Sequence, residues 1–219
     1  MNLARLLAVF ITLAALSAGC GAVTAADPYA PPEATAQANL PIPEEVEEET
    51  ETPAPTGPFI QGTLSAKFTY EKMPGSGSNQ FALWVEDAEG NYVRTFFSTR
   101  FTSTGGWTYR ENALPSWIQR FKPETRTDSE VDAITIQTPQ SGAQSFSLPF
   151  VGEYGYPLPV GEYKIVLEAT LRQEDQVVYE AVMNIGENVV TVEPEAQYKG
   201  SGTDDRGMIG DVVFTFTPD

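Results

Sequence analysis

The sequence contains no histidine and a single cysteine, and 13 of its 219 residues are basic against 30 that are acidic. Each shortage removes chemistry. Without histidine there is no Ser-His-Asp or Cys-His nucleophile, no imidazole metal ligand and no histidine-held haem. Zinc hydrolysis goes with them. One cysteine cannot close an internal disulfide, so the fold must hold without cross-links. Past residue 19 the basic residues are scattered from Lys67 to Arg206, with no cluster to follow a phosphate backbone. That argues against a nucleic-acid partner. The acidic excess instead suits an exported protein kept soluble by its surface loops.

The apolar residues of the N-terminus form one short run. Arg5 precedes an apolar stretch from Leu6 to Leu16, which ends in small residues. This is the pattern of a secretory signal peptide, residues 1–19, too short to span a membrane. Leu16-Ser17-Ala18-Gly19-Cys20 resembles the lipobox of bacterial lipoproteins. The resemblance implies that Cys20 is acylated, by palmitate or a similar chain, and becomes the first mature residue. Several chains, at roughly 0.8 kcal/mol per buried methylene, give a stable anchor. The expected address is the outer face of the cell membrane or the outer membrane. Gly21 lacks the acidic retention residue, which favours outer-membrane sorting where two membranes exist. Loss of Arg5 with the signal takes the formal charge from −17 to −18.

Residues 20–57 hold the lipidated cysteine and a linker. From position 21 on, this segment has eight acidic residues, no basic ones and the run Glu44-Glu45-Val46-Glu47-Glu48-Glu49-Thr50-Glu51. So little apolar content cannot offset chain entropy, and the expectation is a disordered, extended stalk. Residues 58–219 are then one domain. Their dominant period is two. Leu64, Ala66, Phe68 and Tyr70 alternate with polar neighbours, and, with Val166 and Val213 as the apolar exceptions, so do Tyr163, Ile165, Leu167, Ala169 and Leu171, and Val212, Phe214 and Phe216. Such alternation predicts half-buried antiparallel strands. Other predicted strands are 80–86, 92–102, 131–138, 144–150, 177–185 and 188–192, with turns at Asp87-Ala88-Glu89-Gly90-Asn91 and at 173–176. The expected fold is all-β, an immunoglobulin-like antiparallel β-sandwich with one short helix.

The helix is predicted at 112–121, where Leu114, Trp117, Ile118 and Phe121 fall at i, i+3, i+4 and i+7, with Pro115 in its first turn and Pro123 beyond it. It is expected to cap one end of the sandwich. Trp84 lies on the strand face opposite Phe81, Leu83 and Val85, and is expected in the core beneath the Trp117 helix rather than as an exposed anchor.

Several pieces in order, Phe81-Ala82-Leu83-Trp84-Val85-Glu86-Asp87, Gly90-Asn91-Tyr92-Val93-Arg94-Thr95, Leu114-Pro115-Ser116-Trp117, Val131-Asp132-Ala133-Ile134-Thr135 and the stretch from Pro157 to Glu168, resemble the periplasmic family named domain of unknown function 2271. The Pro157-Leu158-Pro159-Val160-Gly161-Glu162-Tyr163 segment is also similar to the immunoglobulin-like module of flagellar hook-capping proteins. The resemblance covers roughly residues 60 to 217. It implies export and a β-sandwich, and it supplies no catalytic residues.

Among polar constellations, Asp87 and Glu89 with Asn91 in one turn, and Asp204 with Asp205 in another, are weak calcium candidates, both short of a full ligand set. Glu153 and Glu162 are the conceivable acid pair for glycoside cleavage. Trp107, Tyr109, Tyr154 and Tyr156 are aromatic residues placed to stack on a ligand. The expectation is a non-enzymatic, membrane-anchored protein-binding or assembly module of the cell envelope, without cofactor. The alternatives are a carbohydrate or small-ligand binder using those aromatics and an enzyme working with carboxylates alone.

Overall fold

The computed structural model describes residues 58–72, 79–171, 175–200 and 206–219. Cys20, the linker and Asp204-Asp205 lie outside them. The chain divides into Met1–Glu51 and Thr52–Asp219, and every described residue belongs to the second unit.

The described residues contain ten strands in two sheets. β1 (Gly62–Tyr70), β5 (Gly142–Pro149), β8 (Val190–Val192) and β10 (Ile209–Pro218) form an antiparallel sheet in the order β5-β1-β10-β8. The second sheet runs β4 (Thr135–Ile136), β3 (Tyr92–Thr99), β2 (Gln80–Asp87), β6 (Gly161–Thr170), β7 (Gln176–Ile185), β9 (Ala196–Lys199). It is antiparallel except where β4 runs parallel to β3. The sheets pack as a β-sandwich. Leu64, Ala66 and Phe68 of β1 and Phe214 and Phe216 of β10 meet Leu83, Val85, Ile165, Leu167 and Met183 in one buried cluster. Each large aliphatic or aromatic side chain so buried contributes about 1.5–3 kcal/mol before chain entropy is subtracted. Aromatic pairs cross the gap, Phe97 against Phe146 at 4.3 Å and Phe150 edge-on to Tyr163 at 5.4 Å.

β2 is buried on both faces from Gln80 to Glu86, so its sheet needs cover outside as well as inside. Ala82, Trp84, Val166 and Val178 form that outer face, and Leu114, Trp117 and Phe121 lie on it. The helix α2 (Pro115–Phe121) therefore covers the face of the six-stranded sheet instead of capping an end of the sandwich. Trp84 is in the core as expected, 1% exposed. Pro115 opens α2 as predicted. Leu114 before it has φ 59 and gives no side-chain cap. Glu168 of β6 takes that role, its two carboxylate oxygens accepting from Ser116 N at 3.2 Å and Trp117 N at 2.8 Å.

Three expectations need correction. The predicted strand 92–102 stops at Thr99 and turns into the short helix α1 (Arg100–Ser103). The buried Gln80 Oε1 accepts from Thr99 Oγ1 at 2.7 Å and from the hydroxyl and N–H of Thr102 at 3.0 and 3.3 Å, which draws the chain off the strand. The predicted strand 131–138 is mostly helix, α3 (Asp128–Ile134), with β4 alone remaining. Thr127 and Glu130 make a capping box there, each side chain bonding the other's backbone N–H. The described domain thus has three short α-helices where one was expected.

Candidate functional site

α3 lies against β3 and the 3-10 turn Glu153–Gly155 that follows β5. Between them is a cleft of about 290 Å³ lined by Tyr92, Arg94, Phe121, Glu130, Glu153 and Tyr154. On the side of α3 reached by Asp128, Val131 and Asp132, about half a helical turn round from Glu130, Ala133 and Ile134, is a second cleft of about 430 Å³ that includes Trp107. A larger groove of about 670 Å³ sits at the end of the sandwich beside Pro58, the first described residue, away from both.

Arg126 organises the first cleft. Its Nη1 lies 3.2 Å from the Glu153 carboxylate and 3.4 Å from Glu130, while Nε donates to the Phe121 carbonyl at 3.0 Å. The guanidinium stacks 4.9 Å from the Phe121 ring and 5.5 Å from Tyr92. The Tyr154 hydroxyl donates to Glu130 and so ties the 3-10 turn to α3. That bond first, then those from Thr127, hold the Glu130 carboxyl at about 2. Tyr154 reaches this position with φ 56, a left-handed backbone that a bulky residue adopts at a cost of order 1–3 kcal/mol. Burial raises the Tyr92 hydroxyl above its ordinary range. It donates to Thr95 Oγ1 at 3.0 Å, which also accepts from the Trp117 indole at 2.9 Å. Arg94 is the odd member. Its guanidinium lies 5.3 Å from the Phe96 ring and donates to the Val151 carbonyl at 3.3 Å, and among the described residues no carboxylate comes within ion-pair distance.

The predicted aromatics are distributed unequally. Tyr154 and Tyr156 stand together on the cleft rim, 73% and 68% exposed, with ring centres 6.4 Å apart and edge-on. Trp107 is half-buried in the second cleft, and Tyr109 is 90% exposed nearby in sequence. The acids Glu153 and Glu162 line different clefts, so the structure pairs Glu153 with Glu130 about Arg126 instead. Both Asp87 carboxylate oxygens are taken by Asn91, its N–H at 2.8 Å and its amide at 3.0 Å, and Glu89 is exposed beside them. Among the described residues no cluster of three or more potential metal ligands occurs. Elsewhere Glu86 is 2% exposed and binds Lys164 Nζ at 2.6 Å, Arg120 Nε at 2.9 Å and the Trp84 indole at 3.0 Å. Those contacts fasten α2 to the sheet.

Adjoining the cleft is an open edge. β5 pairs with β1 over eight residues without a bulge and, among the described residues, has no strand on its other side. Phe146 and Leu148 face the core, and Ala143, Ser145 and Ser147 face out. No charged residue occurs between Asp132 and Glu153, a run of 20 residues that contains all of β5. Edge strands are usually guarded by charge, proline or a bulge. Here Pro149 at the far end is the one such guard.

The model of the family described as predicted periplasmic protein (DUF2271) matches residues 65–202, a span that begins in β1, takes in both clefts and the β5 edge, and ends short of β10. This chain belongs to that family. DUF2271 membership makes the domain a periplasmic, extracytoplasmic one. No helix among the described residues is long and apolar enough to cross a membrane. No curated protein and no solved structure matches the chain. The DUF2271 match carries no assigned activity, and function must be argued from the two surfaces themselves. Arg94, Arg126 and Glu130 escaped the reading of the sequence. The one local signal was Thr127-Asp128-Ser129-Glu130, a capping box that places Glu130 and Arg126 at a helix start.

Proposed function

We propose that this protein is a lipid-tethered, non-catalytic recognition module of the cell envelope that binds an extended segment of a partner protein along β5. The observation that carries the reading is the uncharged open edge in a chain whose formal charge is −17. Strand addition at such an edge takes affinity from backbone hydrogen bonds and specificity from alternate side-chain positions. The exposed tyrosines at the end of β5 extend it with the residue type that dominates interface hot spots. Acylation at Cys20 and the acidic linker would hold the domain off the membrane at a reach on the order of 100 Å, at ~3 Å per extended residue. Neither a cofactor nor nucleic acid enters this reading. A photocrosslinker at Ser145 should capture a discrete partner in cells, and one at Val182, exposed on β7, should not. Equal or absent capture at the two positions would remove the proposal.

A second reading, small-ligand or saccharide binding, is favoured by the Tyr154 and Tyr156 rings at the mouth of the first cleft.

A further inference from the structure

Two arginines bear on the first cleft in different ways: Arg94 lines it, and Arg126, which lines the second cleft, holds its two acids. The charge of Arg126 is shared between Glu130 and Glu153, both within 3.4 Å of its Nη1. Arg94 lines the first cleft, half-buried, with one carbonyl bond and one ring contact. A guanidinium carries five N–H donors in a rigid fork that matches a carboxylate in two parallel bonds. Desolvating such a group is costly, and Phe96, one carbonyl and the Glu153 charge, which lies beyond ion-pair distance, offset only part of that cost. The arrangement is complete when an external anion meets the fork.

We infer that Arg94 is the anion subsite of a saccharide-binding cleft, which takes the carboxylate of an acidic sugar while Glu130, Glu153 and the rim tyrosines meet its ring and hydroxyls. The inference rests on the second reading above and is independent of β5. Size and charge choose the ligand. About 290 Å³ lies at the lower end of ligand clefts, enough for one sugar ring and too little for a nucleotide. Arg94 in the cleft and Arg126 beside it offset the charges of Glu130 and Glu153, and the repulsion left from those carboxylates is about twice as large for a phosphate dianion as for a monoanion. Those carboxylates are acceptors with no proton to give, which suits hydroxyl donors on a ring. Tyr154 and Tyr156 present ring faces on the rim, 73% and 68% exposed, against which a pyranose can pack. Tyr154 is held there against its backbone preference by the bond to Glu130, so the rim is set before a ligand arrives.

The test is calorimetric titration of the full chain, purified in detergent, with glucuronate, glucose, inorganic phosphate and an acetylated dipeptide with a free C-terminus. Glucuronate should bind with a dissociation constant near about 1 mM and glucose at least about tenfold more weakly. Arg94→Gln and Arg94→Lys should each weaken glucuronate about tenfold, the lysine variant because a point charge does not replace the fork. Their thermal midpoints identify any variant that fails to fold, and the lysine variant keeps charge and length if glutamine does not. Glucose binding as well as glucuronate, or variants that bind glucuronate unchanged, would overturn the role of Arg94 and leave saccharide binding standing. No heat from either sugar would sink both. Phosphate or the dipeptide binding as tightly as glucuronate would overturn the acidic sugar as the ligand.

Discussion

Tyr154 shows most directly how single side chains build the cleft, because its strained backbone is held by one hydroxyl on Glu130. Removing that hydroxyl in Tyr154→Phe should raise the Glu130 carboxyl from about 2 toward the usual glutamate range, as followed by NMR titration. An unmoved titration would mean that Thr127 and Arg126 suffice. Trp84→Ala should cost about 3–5 kcal/mol in denaturant unfolding, since the side chain fills the space between the sheet and α2. A cost below about 1 kcal/mol would mean that the helical layer closes over the gap. Trp117 was legible as core from its helical spacing, whereas the strand period set Trp84 beside Gln80 and Glu86, and it was legible as core only through the helix expected to cover that face. Arg94 and Arg126 were not. Arg94 on β3 lines the first cleft and Arg126 before α3 holds two of its acids, Glu130 and Glu153, and no local pattern encodes that meeting.

At the scale of elements, the start of α2 depends on a residue 52 positions away in sequence, with Glu168 replacing the cap that Leu114 cannot supply. Glu168→Ala leaves the buried Trp117 N–H and the part-buried Ser116 N–H without that partner and should destabilise by about 2–4 kcal/mol, whereas Glu168→Gln, which keeps one acceptor, should cost about half of that or less. Equal losses would mean that packing, and not the cap, is what matters. At α3, Thr127→Ala should remove about 1 kcal/mol by breaking the capping box. Strands with one wet face, such as β1 and β10, were read correctly from alternation. α3 was read as a strand because Val131, Ala133 and Thr135 alternate with Asp132 and Ile134 and β-branched residues are frequent. The capping box and the cover that α3 finds against β3 outweigh that weak preference. β9, four residues at the far edge, is too short to rise above its surroundings.

For the whole molecule, two buried glutamates pull the pH dependence in opposite directions. At Glu86 burial raises the carboxyl, but Lys164, the Trp84 indole and Arg120 together lower it below its ordinary value. Its stabilisation is present above the unfolded glutamate range and is lost as pH falls through the lowered folded value. At Glu168 burial raises the carboxyl further than the N–H groups of Trp117 and Ser116 lower it. Its contribution is full below the unfolded value and is lost as pH rises through the raised one. Thermal unfolding across pH should therefore show Glu86→Gln reducing the loss of stability as pH falls below the usual glutamate range and Glu168→Gln reducing the loss as pH rises above it. The reverse assignment would contradict the environments of both residues. The sandwich and its layers were readable from strand alternation along residues 58–219. The open edge was not, since which strand ends a sheet depends on pairing order and not on composition. The decisive experiment follows from that edge. Photocrosslinking from Ser145 in cells, in the parent and in a chain carrying Ser147→Lys, should give one discrete adduct that the added charge abolishes, while the thermal midpoint stays put. An adduct that survives the charge, or no adduct where the protein is folded and membrane-bound, would contradict partner recognition along β5.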